Sequence, residues 1–75
     1  MKISIVSGGF DPIHVGHVEL MERARALTGN LIVILNTDDF LSNKKGKVFM
    51  PFFERKKIIE SIRYVDLVVK CTDTD

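Results

Sequence analysis

Seventy-five residues are enough for one small domain but short of the about 100–150 that domains commonly reach. Hydrophobic residues make up 45% and charged residues 28%, so the chain can bury a core and does not read as disordered. A net charge of +1 argues against a general polyanion binder, and no nucleic-acid partner is expected. The single cysteine, Cys71, rules out an internal disulfide framework and fits a reducing compartment. It ends an apolar strand pattern, where thiols are usually inert. No basic-then-apolar leader opens the sequence, and its longest apolar run, Leu31–Leu35, is far below the ~20 residues of a membrane span. A cytoplasmic protein with no membrane partner is expected.

Ile3 to Val6 is a short β-branched run ended by Ser7-Gly8-Gly9 and predicts a strand. From about Val15 the period changes. His17, Leu20, Met21, Ala24 and Leu27 recur at helical spacing and predict one buried face, while Glu19, Glu22, Arg23 and Arg25 lie mainly elsewhere. Gly29 is placed to end that helix in a left-handed cap. The unbroken run Leu31-Ile32-Val33-Ile34-Leu35 predicts a strand covered on both faces. Asn36-Thr37-Asp38-Asp39 breaks it, and Lys44-Lys45-Gly46-Lys47 reads as an exposed loop. Pro51 suits the first turn of a second helix, in which Phe52, Arg55, Ile59 and Ile62 share one side. Asp66-Leu67-Val68-Val69 predicts a third strand.

Three strands joined by two helical crossovers make a parallel, Rossmann-like α/β unit of βαβαβ form, half of a doubly wound nucleotide-binding fold. Crossovers that progress in one direction give the strand order 3-2-1. The first strand is then an edge unless further chain pairs beside it, and an open apolar edge is a pairing hazard. Residues 1–75 are therefore expected to be the N-terminal portion of a longer domain.

Gly8-Gly9-Phe10-Asp11-Pro12-Ile13-His14-Val15-Gly16-His17 lies where the first strand hands over to the first helix. Phosphates dock at such junctions because the first helical amides lack partners and the helix dipole favours negative charge. His14 and His17, three apart, project from about one side of a turn and can donate hydrogen bonds to phosphate oxygens. Gly16 leaves room for close approach, and Gly8 and Gly9 let amides face a phosphate. The turn lacks G-x-G-x-x-G, which disfavours the dinucleotide-binding half of an oxidoreductase. Two histidines also admit a metal, but Asp11 as a third ligand would have to reach around the turn, so no metal site is assigned.

His14-Val15-Gly16-His17 resembles the HxGH signature of the cytidylyltransferase-like nucleotidyltransferases. Gly9-Phe10-Asp11, Asn36-Thr37-Asp38, Glu54-Arg55 and Arg63-Tyr64-Val65-Asp66 follow in that family's order and look most like its glycerol-3-phosphate cytidylyltransferase branch. Gly-Gly-Phe-Asp-Pro and Lys-Lys-Gly-Lys are also similar to sugar-phosphate adenylyltransferases of the heptose type, which leaves CTP or ATP open. The resemblance implies transfer of CMP from CTP to a phosphorylated small molecule with release of pyrophosphate. It further implies Mg²⁺ bound through the nucleotide phosphates and a homodimer. By the same resemblance Gly8, Gly9, Phe10, Asp11, His14, Gly16 and His17 bind nucleotide, and His14, His17 and Lys44 act in catalysis. Asp38, Lys44, Arg55, Arg63 and Asp66 are expected at the acceptor.

Plain alternatives stand beside these roles. Arg55 occupies the apolar side of its helix, so either its stem runs along the core or its guanidinium reaches a phosphate. Arg63 and Asp66 can simply pair with each other, and Asp38 also fits helix capping. Lys44, Lys45 and Lys47 form either a cationic flap or a solvated loop, and Gly46 stands where relatives often carry another lysine. The family's second motif, Ser/Thr-rich with a basic residue, has no counterpart after Asp66. A nucleotide-binding module without turnover is the competing reading.

Overall fold

Three short strands pair in parallel, and their register decides which side chains form the core. In the computed structural model, which describes residues 1–71, β1 (Ser4–Gly8), β2 (Leu31–Leu35) and β3 (Leu67–Lys70) lie in the order β1-β2-β3. Val6, Val33 and Val68 form one row across the sheet, and Ile5, Ile32 and Leu67 form the next, facing the other way. The first set of rows is buried: Leu31, Val33 and Leu35 are inaccessible and join Val68, Met21, Ile59 and Phe10 in one cluster. The second set is less covered: Ile5 is 61% and Leu67 52% exposed, and Ile32 and Ile34 of β2 are half-buried. The two-sided cover expected for β2 is thus complete on one side alone among the described residues. Successive right-handed crossovers that advance in one direction put their helices on one face of a sheet. The four final residues of the expected 1–75 unit, 72–75, lie outside the described residues.

Helix α1 (Val15–Thr28) ends at Gly29, whose φ of 84° is the left-handed cap expected for it. Its buried stripe differs from the expected one. Met21 is inaccessible and His17, Ala24 and Thr28 are half-buried, whereas Leu20 is 45% and Leu27 81% exposed. Positions 17, 21, 24 and 28 fall within one narrow sector at 3.6 residues per turn, and 20 and 27 lie about 40–60° beyond its edge. A sheet of three short strands touches only that sector. Ser4 fixes the alignment: its hydroxyl donates to the Ala24 carbonyl at 2.6 Å and meets the Thr28 hydroxyl at 2.9 Å.

The segment expected to be a break and a loop contains a helix, α2 (Asp38–Lys45). Thr37 caps it by accepting the Phe40 amide at 3.1 Å, Asp38 and Asp39 occupy its positive end, and Lys44 and Lys45 its negative end. Gly46, with φ 87°, ends it. Helix α3 (Phe52–Glu60) starts directly after Pro51 and buries Arg55 and Ile59 on the side predicted for them. Among the described residues no helix is long and apolar enough to cross a membrane.

This packing predicts unequal costs on α1. Met21→Ala should destabilise the protein by about 2–5 kcal/mol, and Leu27→Ala by no more than about 0.5 kcal/mol, measured by urea denaturation.

Candidate active site

The carboxyl ends of β1 and β2 and the amino end of α1 meet at one edge of the sheet, where parallel α/β folds bind ligands. Beyond Gly8 the chain turns sharply. Phe10 has φ 50°, a left-handed conformation costly for an aromatic residue, and its ring is buried, 7% exposed. Burial of that ring holds the turn. Its edge meets the His17 imidazole, with centroids 4.9 Å apart and planes at 88°. Gly9 is needed for packing: a Cβ there would stand 2.6 Å from a Leu41 methyl, so the turn can lie directly on α2.

The two histidines stack face to face, ring centroids 3.8 Å apart and 28° from parallel. His14 is the N-cap of α1, and its Nδ1 accepts the Gly16 amide at 3.0 Å. His17 Nδ1 accepts the His14 amide at 3.1 Å. The start of this helix is therefore less open to an anion than its sequence implies, because the imidazoles take two of the amides expected to face a phosphate. Burial pushes the His17 pKa below its ordinary 6.5, and the neighbouring His14 charge acts the same way. Gly16 has a packing reason too. A Cβ there would lie 2.9 Å from His14 Cε1 and would displace that ring.

Asp11 is engaged within the protein. Its side chain is 1% exposed and accepts the Phe49 amide at 2.7 Å and the Met50 amide at 2.6 Å. Lys45 completes the clamp, donating to the Asp11 carbonyl at 2.8 Å and standing 3.0 Å from its carboxylate. Burial opposes ionisation of this carboxyl, but the two amides and Lys45 outweigh it and hold its pKa below 3.8. Asp11 thereby ties the turn after β1 to the segment after α2.

Arg55 is the corresponding brace below. It is inaccessible to solvent, and its guanidinium reaches four segments. Nε donates to the Met50 carbonyl, Nη1 to the carbonyls of Gly9 and Asn36, all at 2.8 Å, and Nη2 to the Asp38 carboxylate at 2.6 Å. The acceptor role expected for Arg55 is not the one its geometry supports. An inaccessible guanidinium, each of whose three nitrogens donates within the protein, holds the floor of the site.

Comparison with known proteins agrees with this architecture. The family model described as cytidylyltransferase-like matches residues 5–75. The chain belongs to the cytidylyltransferase-like family. It is 48% identical over 69 residues to a glycerol-3-phosphate cytidylyltransferase of Staphylococcus aureus, covering 92% of this chain and 52% of that protein. It is 43% identical over 70 residues to an FAD synthase of Pyrococcus horikoshii (91% and 47%) and 46% identical to an ethanolamine-phosphate cytidylyltransferase of Dictyostelium discoideum (91% and 19%). The chain thus spans about half the length, or less, of these curated relatives. A lipopolysaccharide core biosynthesis protein from Thermoplasma volcanium shares the fold, with a TM-score of 0.91 at 23% identity, covering all of this chain and 62% of that one.

Of the residues a cytidylyltransferase-like site was expected to gather, Gly8, Gly9, Phe10, Asp11, His14, Gly16 and His17 do converge on the strand–helix junction, with Asp38 reached through Arg55. Arg63 and Asp66 do not. Asp66 accepts the Leu31 amide at 2.8 Å and sits 3.5 Å from Arg25, at the amino end of β2, the opposite edge of the sheet. Arg25 also donates to the carbonyls of Tyr64 and Gly29, so the Arg-Tyr-Val-Asp turn is docked by α1. The simple Arg63–Asp66 pair is replaced by Arg25–Asp66, and the Arg63 guanidinium stands 6.0 Å from the Tyr64 ring. The expected lysine loop is divided. Lys44 and Lys45 end α2, Lys45 and Lys47 flank the Phe49 ring at 4.9 and 4.7 Å, and exposed Lys44 stands 5.7 Å from Phe40. Two open depressions, along Phe53 and Lys57 on α3 and beside Asp66 and Leu67, are not lined by the histidines.

Removing the brace while leaving Asp38 and three carbonyls unpaired should be severe. Arg55→Ala should cost about 3–5 kcal/mol in denaturant titration. A Tm equal to that of the unaltered protein, with only a raised acceptor KM, would return Arg55 to the acceptor site.

Proposed function

We propose that the protein containing this chain transfers CMP from CTP to a phosphorylated small molecule of the glycerol-3-phosphate kind, releasing pyrophosphate. The observation that carries this reading is the stacked pair His14 and His17 at the amino end of α1, beside the carboxyl ends of β1 and β2. Family membership and relatives named glycerol-3-phosphate and ethanolamine-phosphate cytidylyltransferase support the choice of base and acceptor class.

In the reaction an acceptor phosphate oxygen attacks the α-phosphorus, and the bond to the pyrophosphate oxygen breaks. The nucleophile is already an anion, so no general base is required. What the protein supplies is alignment of two anions and donors for charge that grows on the non-bridging oxygens. His14 and His17 act as those donors through Nε2. Lys44, exposed at the end of α2, is the cation placed to attract the phosphates. Asp11, Lys45 and Arg55 hold the turn and the Phe49–Met50 segment in place.

Magnesium fits this site as a companion of the triphosphate. Among the described residues no three His, Cys, Asp or Glu side chains gather into a cage, and both Nδ1 atoms and the Asp11 carboxylate already have partners. The ion, when bound, supplies neutralisation of phosphate charge.

Pyrophosphate release measured with CTP or ATP, against glycerol-3-phosphate and sugar phosphates, tests the assignment. Release with CTP and glycerol-3-phosphate is expected. His17→Ala should lower kcat by about 10²–10³-fold, as loss of one transition-state donor does. Undiminished turnover in that variant would remove His17 from the chemistry.

A further inference from the structure

We propose that the two histidines divide their nitrogens: both Nδ1 atoms are engaged in capping α1, which holds each neutral ring in the tautomer that presents Nε2–H outward. This deepens the function proposed above and rests on it only for the identity of the outward ligand.

A neutral imidazole carries one N–H and one lone pair, and whichever nitrogen accepts a hydrogen bond cannot also bear the proton. His14 Nδ1 accepts from the Gly16 amide, and His17 Nδ1 accepts from the His14 amide. Backbone amides cannot reverse their polarity, so both rings must be protonated at Nε2. No hydrogen-bond partner for either Nε2 is found among the described residues, and no buried side-chain nitrogen lacks a partner. His14 is exposed as a residue, and half-buried His17 keeps its unpartnered Nε2 short of full burial.

The arrangement is a capping box built from unusual residues. An ordinary box places Ser or Thr at the N-cap and Glu or Gln three positions on. Those side chains satisfy the same amides, but the carboxylate would repel an anion and none of them fixes a donor at a set distance beyond the cap. The imidazole is a rigid two-ended group. One edge takes an amide of the positive helix end, and the other offers an N–H, polarised by the bond behind it. Positive character of the helix terminus is passed outward through the rings. The spacing of three between the histidines is then the N-cap to N3 spacing, and Gly16 is required because a Cβ would strike the His14 ring.

Long-range ¹H–¹⁵N correlation spectra of the histidine-labelled full chain at neutral pH read the tautomers directly. Both rings should show unprotonated Nδ1 and protonated Nε2, and inorganic triphosphate should move the Nε2 resonances while Nδ1 stays. Protonated Nδ1 in either ring, or averaging of the two tautomers, overturns the proposal. Locked tautomers with no response to triphosphate uphold it and instead contradict the nucleotide reading of the site. Stability separates the two edges independently. His14→Ala should lower Tm by several degrees, and His14→Asn, whose Oδ1 can accept the Gly16 amide, should restore most of the loss without restoring a donor at the Nε2 position. Equal Tm values for His14→Asn and His14→Ala contradict the capping role.

Discussion

A single buried guanidinium organises the loops at one edge of this fold. Arg55 draws together the turn after β1, the end of β2, the start of α2 and the segment before α3, all through hydrogen bonds of 2.6–2.8 Å. A cation held away from water is tolerable only when its donors are satisfied and a counter-charge is near. The three carbonyls and Asp38 give every nitrogen of the group a partner and supply the counter-charge. Because those partners come from separate loops, each loop can relax only by leaving a buried charge unpaired. The loops at the carboxyl edge of the sheet are thus set by a polar core, and Asp11 repeats the device above it with opposite sign.

That rigidity matters for the histidines. Their rings stand on a turn in which Phe10 adopts a left-handed conformation and packs its edge against His17. A turn of that kind persists only if its surroundings over-determine it. With the backbone fixed, the imidazoles cap the amino end of α1 through Nδ1, and the donor role proposed for them rests on Nε2. Some side chains expected to touch ligand are engaged within the protein instead. Arg55, Asp11 and Lys45 belong to the frame of the site.

How far the sequence reveals this depends on range. The β1–α1–β2 unit, the left-handed cap at Gly29 and the inward side of α3 follow from local signals: an apolar run, a glycine after a helical period, and the spacing of Phe52, Arg55 and Ile59. Helix α2 was also locally encoded, by Thr37-Asp38-Asp39 at one end and Lys44-Lys45-Gly46 at the other, but its weak apolar stripe hides behind polar residues. The partners of Asp11 and Asp66 were not readable at all. Asp11 pairs with residues 34–39 positions away, and Asp66 with residues 35 or more away, so only the fold brings them together. Arg25 looked like a solvent-facing residue of α1 for the same reason. The less covered sheet face explains why continuous hydrophobicity in β2 overstated its cover within this chain.

The most direct test is a crystal structure of the full protein with a non-hydrolysable CTP analogue and Mg²⁺. Phosphate oxygens are expected at about 3 Å from Nε2 of both His14 and His17, with both Nδ1 atoms still on their backbone amides and Arg55 unmoved beneath. Triphosphate bound at another edge of the sheet, or held with either imidazole turned away from it, would contradict the account.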